Sequence, residues 1–306
     1  MTRDDLMFRD GLLAGERILV TGGGTGLGRV MAEAFLILGA DVYICGRRGA
    51  VVEQAAAELI AAHGGRATGI ACDIRDTASI EAMIDRIWSD GGALTGLVNN
   101  AAGNFVSRTE DLSMRGFDAI SNIVFRGSFA VTLACGKRWI EEGVQASVLS
   151  ILATWVWNGS AFTVPSAMSK AGVNVMSQSL AVEWADRGIR LNCIAPGTFP
   201  TEGMSARLRP TEGDAAFRDT SDYPMGRVGR MPELANLASF LMSRQAEYLT
   251  GQTIAIDGAR YLATGGNFAS LRAWGDDEWD QARSSIKATT AQDKAARTVD
   301  NEREAG

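Results

Sequence analysis

The 306-residue chain has a single histidine, His63. One imidazole makes a multi-histidine metal site impossible, and a Ser-His-Asp triad could draw only on this residue. His63 stands in AAHGGRA, a helix-to-strand turn, and reads as a solvated turn residue. Cysteine is sparse too: Cys45, Cys72, Cys135 and Cys193 lie far apart, with no C-x-x-C pair. Three of them fall in or beside expected strands, where buried free thiols are common. A reducing compartment without a disulfide framework is the simplest reading. No run of eighteen apolar residues occurs, so no membrane span is expected. The opening MTRDDLMFRDG has acidic residues and no apolar h-region, which speaks against a signal peptide and for the cytoplasm. Positive charge is in deficit, 30 Lys+Arg against 36 Asp+Glu. A general affinity for nucleic acid or anionic membrane is therefore not expected.

Hydrophobic residues make up 46% and charged residues 22%, an ordinary globular balance with ample material for a core. Glycine is in excess, at 35 residues. Many of these glycines end short apolar runs: RILVT (17–21), DVYICG (41–46), ATGIACD (67–73), LTGLVNNAAG (94–103), ASVLSI (146–151), IRLNCIAPG (189–197) and QTIAID (252–257). Helical patterns separate them. Short apolar strands alternating with helices imply a seven-stranded parallel sheet covered on both faces, an α/β doubly wound Rossmann fold. One domain is expected over 1–265, with a polar extension over 266–306. Within it, 198–230 has no strong pattern before the last helix (232–243). It lies at the carboxyl edge of the sheet and reads as a substrate lid.

The segment Thr21-Gly22-Gly23-Gly24-Thr25-Gly26-Leu27-Gly28 follows the first strand and opens a helix. Glycine permits a tight turn and close backbone approach to a pyrophosphate, and the helix N-terminus favours the anion. The end of the second strand selects the cofactor. NAD-binding folds usually place an acid there for the ribose 2′-hydroxyl. This chain has Cys45-Gly46-Arg47-Arg48 instead. Arg47 could hold a 2′-phosphate, with Arg29 assisting, which favours NADP(H). Asp73, ending the third strand, is placed to meet the adenine amino group. Thr198, after Pro196-Gly197, should lie on the nicotinamide side.

TGGGTGLG, CDIRD, NNAAG, SAMSKAGV and IAPG, in this order and spacing over about 10–260, resemble the short-chain dehydrogenase/reductase family. That resemblance implies a nicotinamide cofactor and a homotetramer. It also extends the cofactor-binding set to Ile74, Asn100 and Lys170. Further segments are similar to mitochondrial-type 2,4-dienoyl-CoA reductases: NNAAGNFVSRTEDLS (99–113), VPSAMSKAGVNVMSQSLAVEW (164–184), SARLRPTEG (205–213) and GGNFASLRAWGDDEW (265–279). This closer resemblance implies NADPH-dependent reduction of a dienoyl-CoA to a 3-enoyl-CoA.

Most members of the wider family carry Tyr-x-x-x-Lys on one helix face. Here Lys170 remains and the tyrosine position is Ser166; Val124 stands where most members have an active-site asparagine. Serine is too weak an acid for ordinary carbonyl reduction. The dienoyl-CoA reductases make the same change, and their chemistry needs hydrogen-bond donors for a thioester oxygen. By resemblance Asn104 is such a donor, Ser166 orients substrate or cofactor, and Lys170 fixes the ribose. Trp155 departs from the pattern, standing where those enzymes have a tyrosine thought to protonate the dienolate. It either packs against an acyl chain or fills the core. Arg75, Phe105, Ser113 and Arg207 match acyl-CoA-binding positions, and the two arginines could equally be surface charge. Arg126 replaces an asparagine and has no assigned role. Two other readings stay open: a carbonyl or alcohol oxidoreductase, which the absent tyrosine opposes, and a non-catalytic NADP-binding subunit, which Lys170 and Asn104 oppose.

Overall fold

The computed structural model describes residues 1–201, 220, 223–264, 271, 273–282 and 284–285. The chain forms two units, Met1–Tyr261 and Leu262–Gly306. In the first, strands β1 (Arg17–Thr21), β2 (Asp41–Gly46), β3 (Ala67–Ala71), β4 (Gly96–Asn99), β5 (Ala146–Ile151), β6 (Ile189–Pro196) and β7 (Thr253–Ile256) form one sheet in the order β3-β2-β1-β4-β5-β6-β7. Every pairing is parallel. β1 shows why these runs must be strands of a covered sheet. Ile18 and Val20 face one apolar layer and Leu19 the other, and all three are buried. Alternation with both faces apolar is the signature of a sheet sandwiched between helices.

The helices have equally local causes. α1 (Gly26–Ile37), α2 (Gly49–His63) and α3 (Thr77–Gly91) are the crossovers of the first half. α3 is started by Asp76, whose carboxylate accepts from the amides of Ala78 and Ser79, both at 3.2 Å. It then buries Ile80, Met83, Ile84 and Ile87, one stripe at helical spacing. α4 (Met114–Ser121) continues through a π-helical turn, Asn122–Gly127, into α5 (Ser128–Glu142). Although this run is long and apolar, Val131, Cys135 and Trp139 are packed into the core. Trp139 satisfies its indole N–H on the Leu94 carbonyl at 2.7 Å. α6 (Trp155–Asn158) and α7 (Val164–Glu183) follow β5, and α8 (Met231–Met242) packs Leu234, Ala235, Ala238 and Leu241 into the core. A short helix, α9 (Arg260–Ala263), follows β7.

Strand expectations agree with the structure to within a few residues. All four cysteines are free and buried. His63 differs from its expected role: it is the last residue of α2, half-buried, and its Nε2 lies 2.8 Å from Glu33 Oε1. The amino terminus of Met1 reaches the same carboxylate oxygen at 3.2 Å. The turn places His63 against the side of α1, where a carboxylate is available. Of the expected lid, 202–219 and 221–222 lie outside the described residues. In the second unit, residues 276–282 are helical. There Glu278 accepts from the Gly275 amide at 2.9 Å, and the Trp274 and Trp279 rings meet edge-on, 5.0 Å apart.

Candidate functional site

The chain runs β1 to β3 outward, then returns to place β4 on the other side of β1. The loops leaving β1 and β4 therefore diverge at a switch point, the usual binding crevice of an open α/β sheet. Thr21 Oγ1 accepts from the amides of Asn100 and Ala101, both at 3.0 Å, and donates to Val98 O at 3.2 Å. Asn100 Nδ2 donates to Thr21 O at 2.9 Å and to Gly22 O at 3.3 Å. The two loops are thus stitched together. Gly28 is forced by this closeness: a Cβ there would lie 2.4 Å from Asn100 Nδ2 and 2.6 Å from Gly22 O. Gly22 adopts φ +64, a left-handed conformation suited to glycine. The other side of the loop is open, since a Cβ on Gly26 would meet only Thr201 Cγ2, at 3.8 Å. Thr25 accepts no cap hydrogen bond at the start of the twelve-residue α1. Uncapped helix amides in a glycine cradle at the switch point fit the pyrophosphate of a dinucleotide. Leu27 lies half-buried in the same first turn.

At the end of β2, Arg47 and Arg48 are exposed and no acid accompanies them. Arg29 is already paired with Glu58 at 2.8 Å. Ile74 is buried, and a Cβ on Gly127 would meet its Cδ1 at 2.8 Å. Asp73 and Arg75 close on each other. Arg75 Nε lies 2.9 and 3.0 Å from the two carboxylate oxygens, and the Arg75 amide donates to Oδ1 at 3.1 Å. The Arg75 guanidinium holds the Asp73 carboxyl below the usual carboxylate range. Arg126 supplies a contact that the sequence did not reveal: its Nη1 donates to the Arg75 carbonyl at 2.7 Å from the π-helical turn.

Pro165, at the start of α7, fixes the entry to the helix that carries Ser166 and Lys170. Both are buried, on one face because they are four residues apart. Lys170 Nζ donates to Ile151 O, the last carbonyl of β5. Burial brings the Lys170 pKa down to about 8. Burial also pushes the nearby Cys193 thiol up to about 11, so Lys170 faces no thiolate at neutral pH. Val124 is buried on the π-helical turn.

In the loop after β4, Asn104 Oδ1 accepts from the Phe105 amide at 2.9 Å. The carbonyl end of the side chain is thereby fixed and its NH₂ end is left to donate. The Phe105 ring lies by the start of α4, where a Cβ on Gly116 would meet its Cζ at 3.4 Å. Ser113 is the N-cap of α4, accepting from the Gly116 amide at 3.1 Å. Ser107 N donates to Phe162 O at 2.9 Å, tying the Asn104 loop to the segment before α7. Phe162 is exposed with φ +63, an uncommon conformation for a bulky residue. Trp155 opens α6, half-buried, and its indole N–H makes no hydrogen bond among the described residues. Trp157 stacks on Tyr261, with ring centroids 4.6 Å apart.

Pro196 ends β6, and Gly197 N donates to Ile256 O at 3.0 Å. The Thr198 hydroxyl that follows is engaged by Tyr223 and Arg260. Neither of these belonged to any sequence motif, because each reaches Thr198 across a gap of 25 or more residues. Arg207 lies outside the described residues.

Residues 22–259 match the family model described as enoyl-(acyl carrier protein) reductase. The chain is 40% identical over 297 residues to a probable (3E)-enoyl-CoA-producing 2,4-dienoyl-CoA reductase of Caenorhabditis elegans, covering 96% of each. It is 37% identical over 249 residues to a probable (2E)-enoyl-CoA-producing 2,4-dienoyl-CoA reductase of Bacillus subtilis, covering 80% of this chain and 96% of that one. Among solved structures it is similar to a gluconate 5-dehydrogenase from Burkholderia cenocepacia in complex with NADP and tartrate. The TM-score is 0.75 at 29% identity, covering 82% of this chain and 97% of that one. The sheet order, the glycine cradle and these likenesses together place the chain in the short-chain dehydrogenase/reductase family.

Proposed function

We propose that the protein is an NADPH-dependent 2,4-dienoyl-CoA reductase, producing a 3-enoyl-CoA. The observation that carries this reading is the trio of Lys170, buried and kept; Ser166, four residues before it in place of a tyrosine; and Asn104, anchored so that its NH₂ end can donate. A carbonyl reductase needs an acid beside the carbon it reduces, and serine is a poor one. Reduction of a dienoyl thioester instead collects charge on the thioester oxygen, at a distance from the carbon attacked. Hydrogen-bond donors placed for that oxygen then do the most for the transition state.

The nicotinamide cofactor, when bound, supplies the hydride. The glycine cradle and the first amides of α1 hold its pyrophosphate. Arg47 takes the 2′-phosphate, since no acid at the end of β2 competes for a 2′-hydroxyl. Lys170 holds the nicotinamide ribose and contributes positive charge. The Asn104 amide donates to the thioester oxygen, and Ser166 orients the bound ligands. Trp155 is a half-buried apolar wall for the acyl chain and not a proton donor, because indole N–H is not a practical acid. Water delivers the final proton. Arg75, Phe105, Ser113 and Arg207 are the contacts proposed for the CoA moiety. For Arg75, phosphate binding exchanges one anion, the Asp73 carboxylate, for another.

Mass analysis of the product tests the assignment. With NADPH and 2,4-hexadienoyl-CoA the thioester gains two hydrogens and keeps one double bond. Recovery of the unchanged diene from an enzyme that binds NADPH would overturn the substrate class.

A further inference from the structure

The helix α6 is a single turn of four residues, Trp155–Asn158, and no side chain caps its start. So short a helix has no stability of its own. Its amides close on the nearest carbonyls: Val156 N donates to Ala153 O and Trp157 N to Thr154 O, both at 3.2 Å, and Gly159 N donates to Trp155 O at 2.9 Å. The place of the turn is therefore set by what it touches. It packs against α7. The Trp157 ring stacks on Tyr261, with centroids 4.6 Å apart and planes 24° from parallel.

Tyr261 is a firm support for that stack. Asp257, the residue after β7, accepts from the amides of Ala259 and Tyr261 at 2.9 and 2.8 Å. A Cβ on Gly197 would lie 2.6 Å from Asp257 Cβ, so the exit of β7 runs tight against the exit of β6. β5, β6 and β7 are parallel neighbours, so α6 and Tyr261 leave the sheet at the same edge with β6 between them. The two rings bridge that gap. Trp155 and Trp157 are two residues apart, about 200° around a helix axis, so they project to opposite sides of the turn. With Trp157 turned to Tyr261, Trp155 is turned away from it, and Trp155 is the more buried of the two.

We propose that Trp157 and Tyr261 are positioning residues: their stack pins α6 to the exit of β7 and so holds Trp155 in place as the wall for the acyl chain. The proposal rests on the reading of Trp155 as that wall. It adds two residues that act on substrate affinity only through Trp155.

Hydrogen exchange and steady-state kinetics on 2,4-hexadienoyl-CoA test it together. An aromatic stack is worth about 2- to 10-fold in an equilibrium. In Tyr261→Leu, which keeps bulk and loses the stack, the amides of Val156, Trp157 and Gly159 exchange about 5-fold faster. KM rises by a similar factor, while kcat stays within about 2-fold and NADPH affinity is unchanged. Trp157→Leu gives the same result from the other side of the stack. Tyr261→Phe keeps the ring and behaves as the wild type. The double variant Trp155→Ala with Tyr261→Leu has the KM of Trp155→Ala alone, because Tyr261 acts through Trp155. Unchanged exchange of α6 in Tyr261→Leu, a loss in Tyr261→Phe equal to that in Tyr261→Leu, or additive rises in KM would overturn the proposal. A wild-type protein that binds NADPH but leaves the dienoyl thioester untouched would sink the substrate assignment, and the exchange rates would still decide whether the stack pins α6.

Discussion

Lys170 Nζ donates to the carbonyl of Ile151, so the cation buried on the Ser166 face of α7 is moored to the end of β5. This contact keeps the ammonium fixed although its surroundings disfavour its charge.

That tension has a pH signature. Burial lowers the Lys170 pKa from its ordinary 10.5 to about 8. As pH rises, the folded state loses this proton first, so between about 8 and 10.5 the unfolded chain binds more protons and stability rises with pH. Below that window both states are charged and the full cost of burial is present. Lys170→Met has no such cost. Its stability advantage, read from denaturant midpoints, should shrink as pH rises through the window. An advantage independent of pH would show that the ammonium is not desolvated.

Gly28→Ala should damage both fold and cofactor binding. The added methyl has only 2.4 Å to Asn100 Nδ2 and 2.6 Å to Gly22 O. Overpacking of this kind costs about 1–3 kcal/mol. Denaturant unfolding measures that cost, and NADPH titration should show the binding loss. Wild-type values on both would mean that the two loops are not stitched as described.

Arg47→Ala should separate the two nicotinamide cofactors. A charge-assisted hydrogen bond is worth about 1.5–3 kcal/mol, so NADPH affinity should fall about 10- to 100-fold. NADH affinity should stay within about 3-fold, a change worth less than 1 kcal/mol. Equal losses for both would place the 2′-phosphate elsewhere.

Trp155→Phe should keep kcat within about 3-fold, because an aromatic wall is retained and the lost indole N–H has no partner among the described residues. Trp155→Ala should raise KM through lost apolar contact, by about 10-fold for 1–2 kcal/mol of burial. Steady-state kinetics on a dienoyl thioester measures both. A loss on Trp155→Phe of about 100-fold, the scale of general-acid catalysis, would make the indole part of the chemistry.

The sheet was legible because the central strands are apolar on both faces, and runs such as RILVT and ASVLSI admit little else. The glycine loop and Ser166 with Lys170 were legible because their spacing is itself the geometry, a turn in one case and one helix face in the other. What the sequence hid were contacts made by long polar side chains across the fold. Arg126 meets the Arg75 carbonyl 51 residues away, and Arg260 meets Thr198 62 residues away. No periodicity records such pairings. The pairing of His63 is hidden for the same reason, since its partner Glu33 lies 30 residues earlier on α1.

The most direct test follows NADPH absorbance with purified protein and 2,4-hexadienoyl-CoA, with NADH and a ketoacyl-CoA as controls. Fast oxidation of NADPH by the dienoyl thioester is expected, with little in either control. Oxidation by the ketoacyl-CoA alone, or none at all from a protein that binds NADPH, would contradict it.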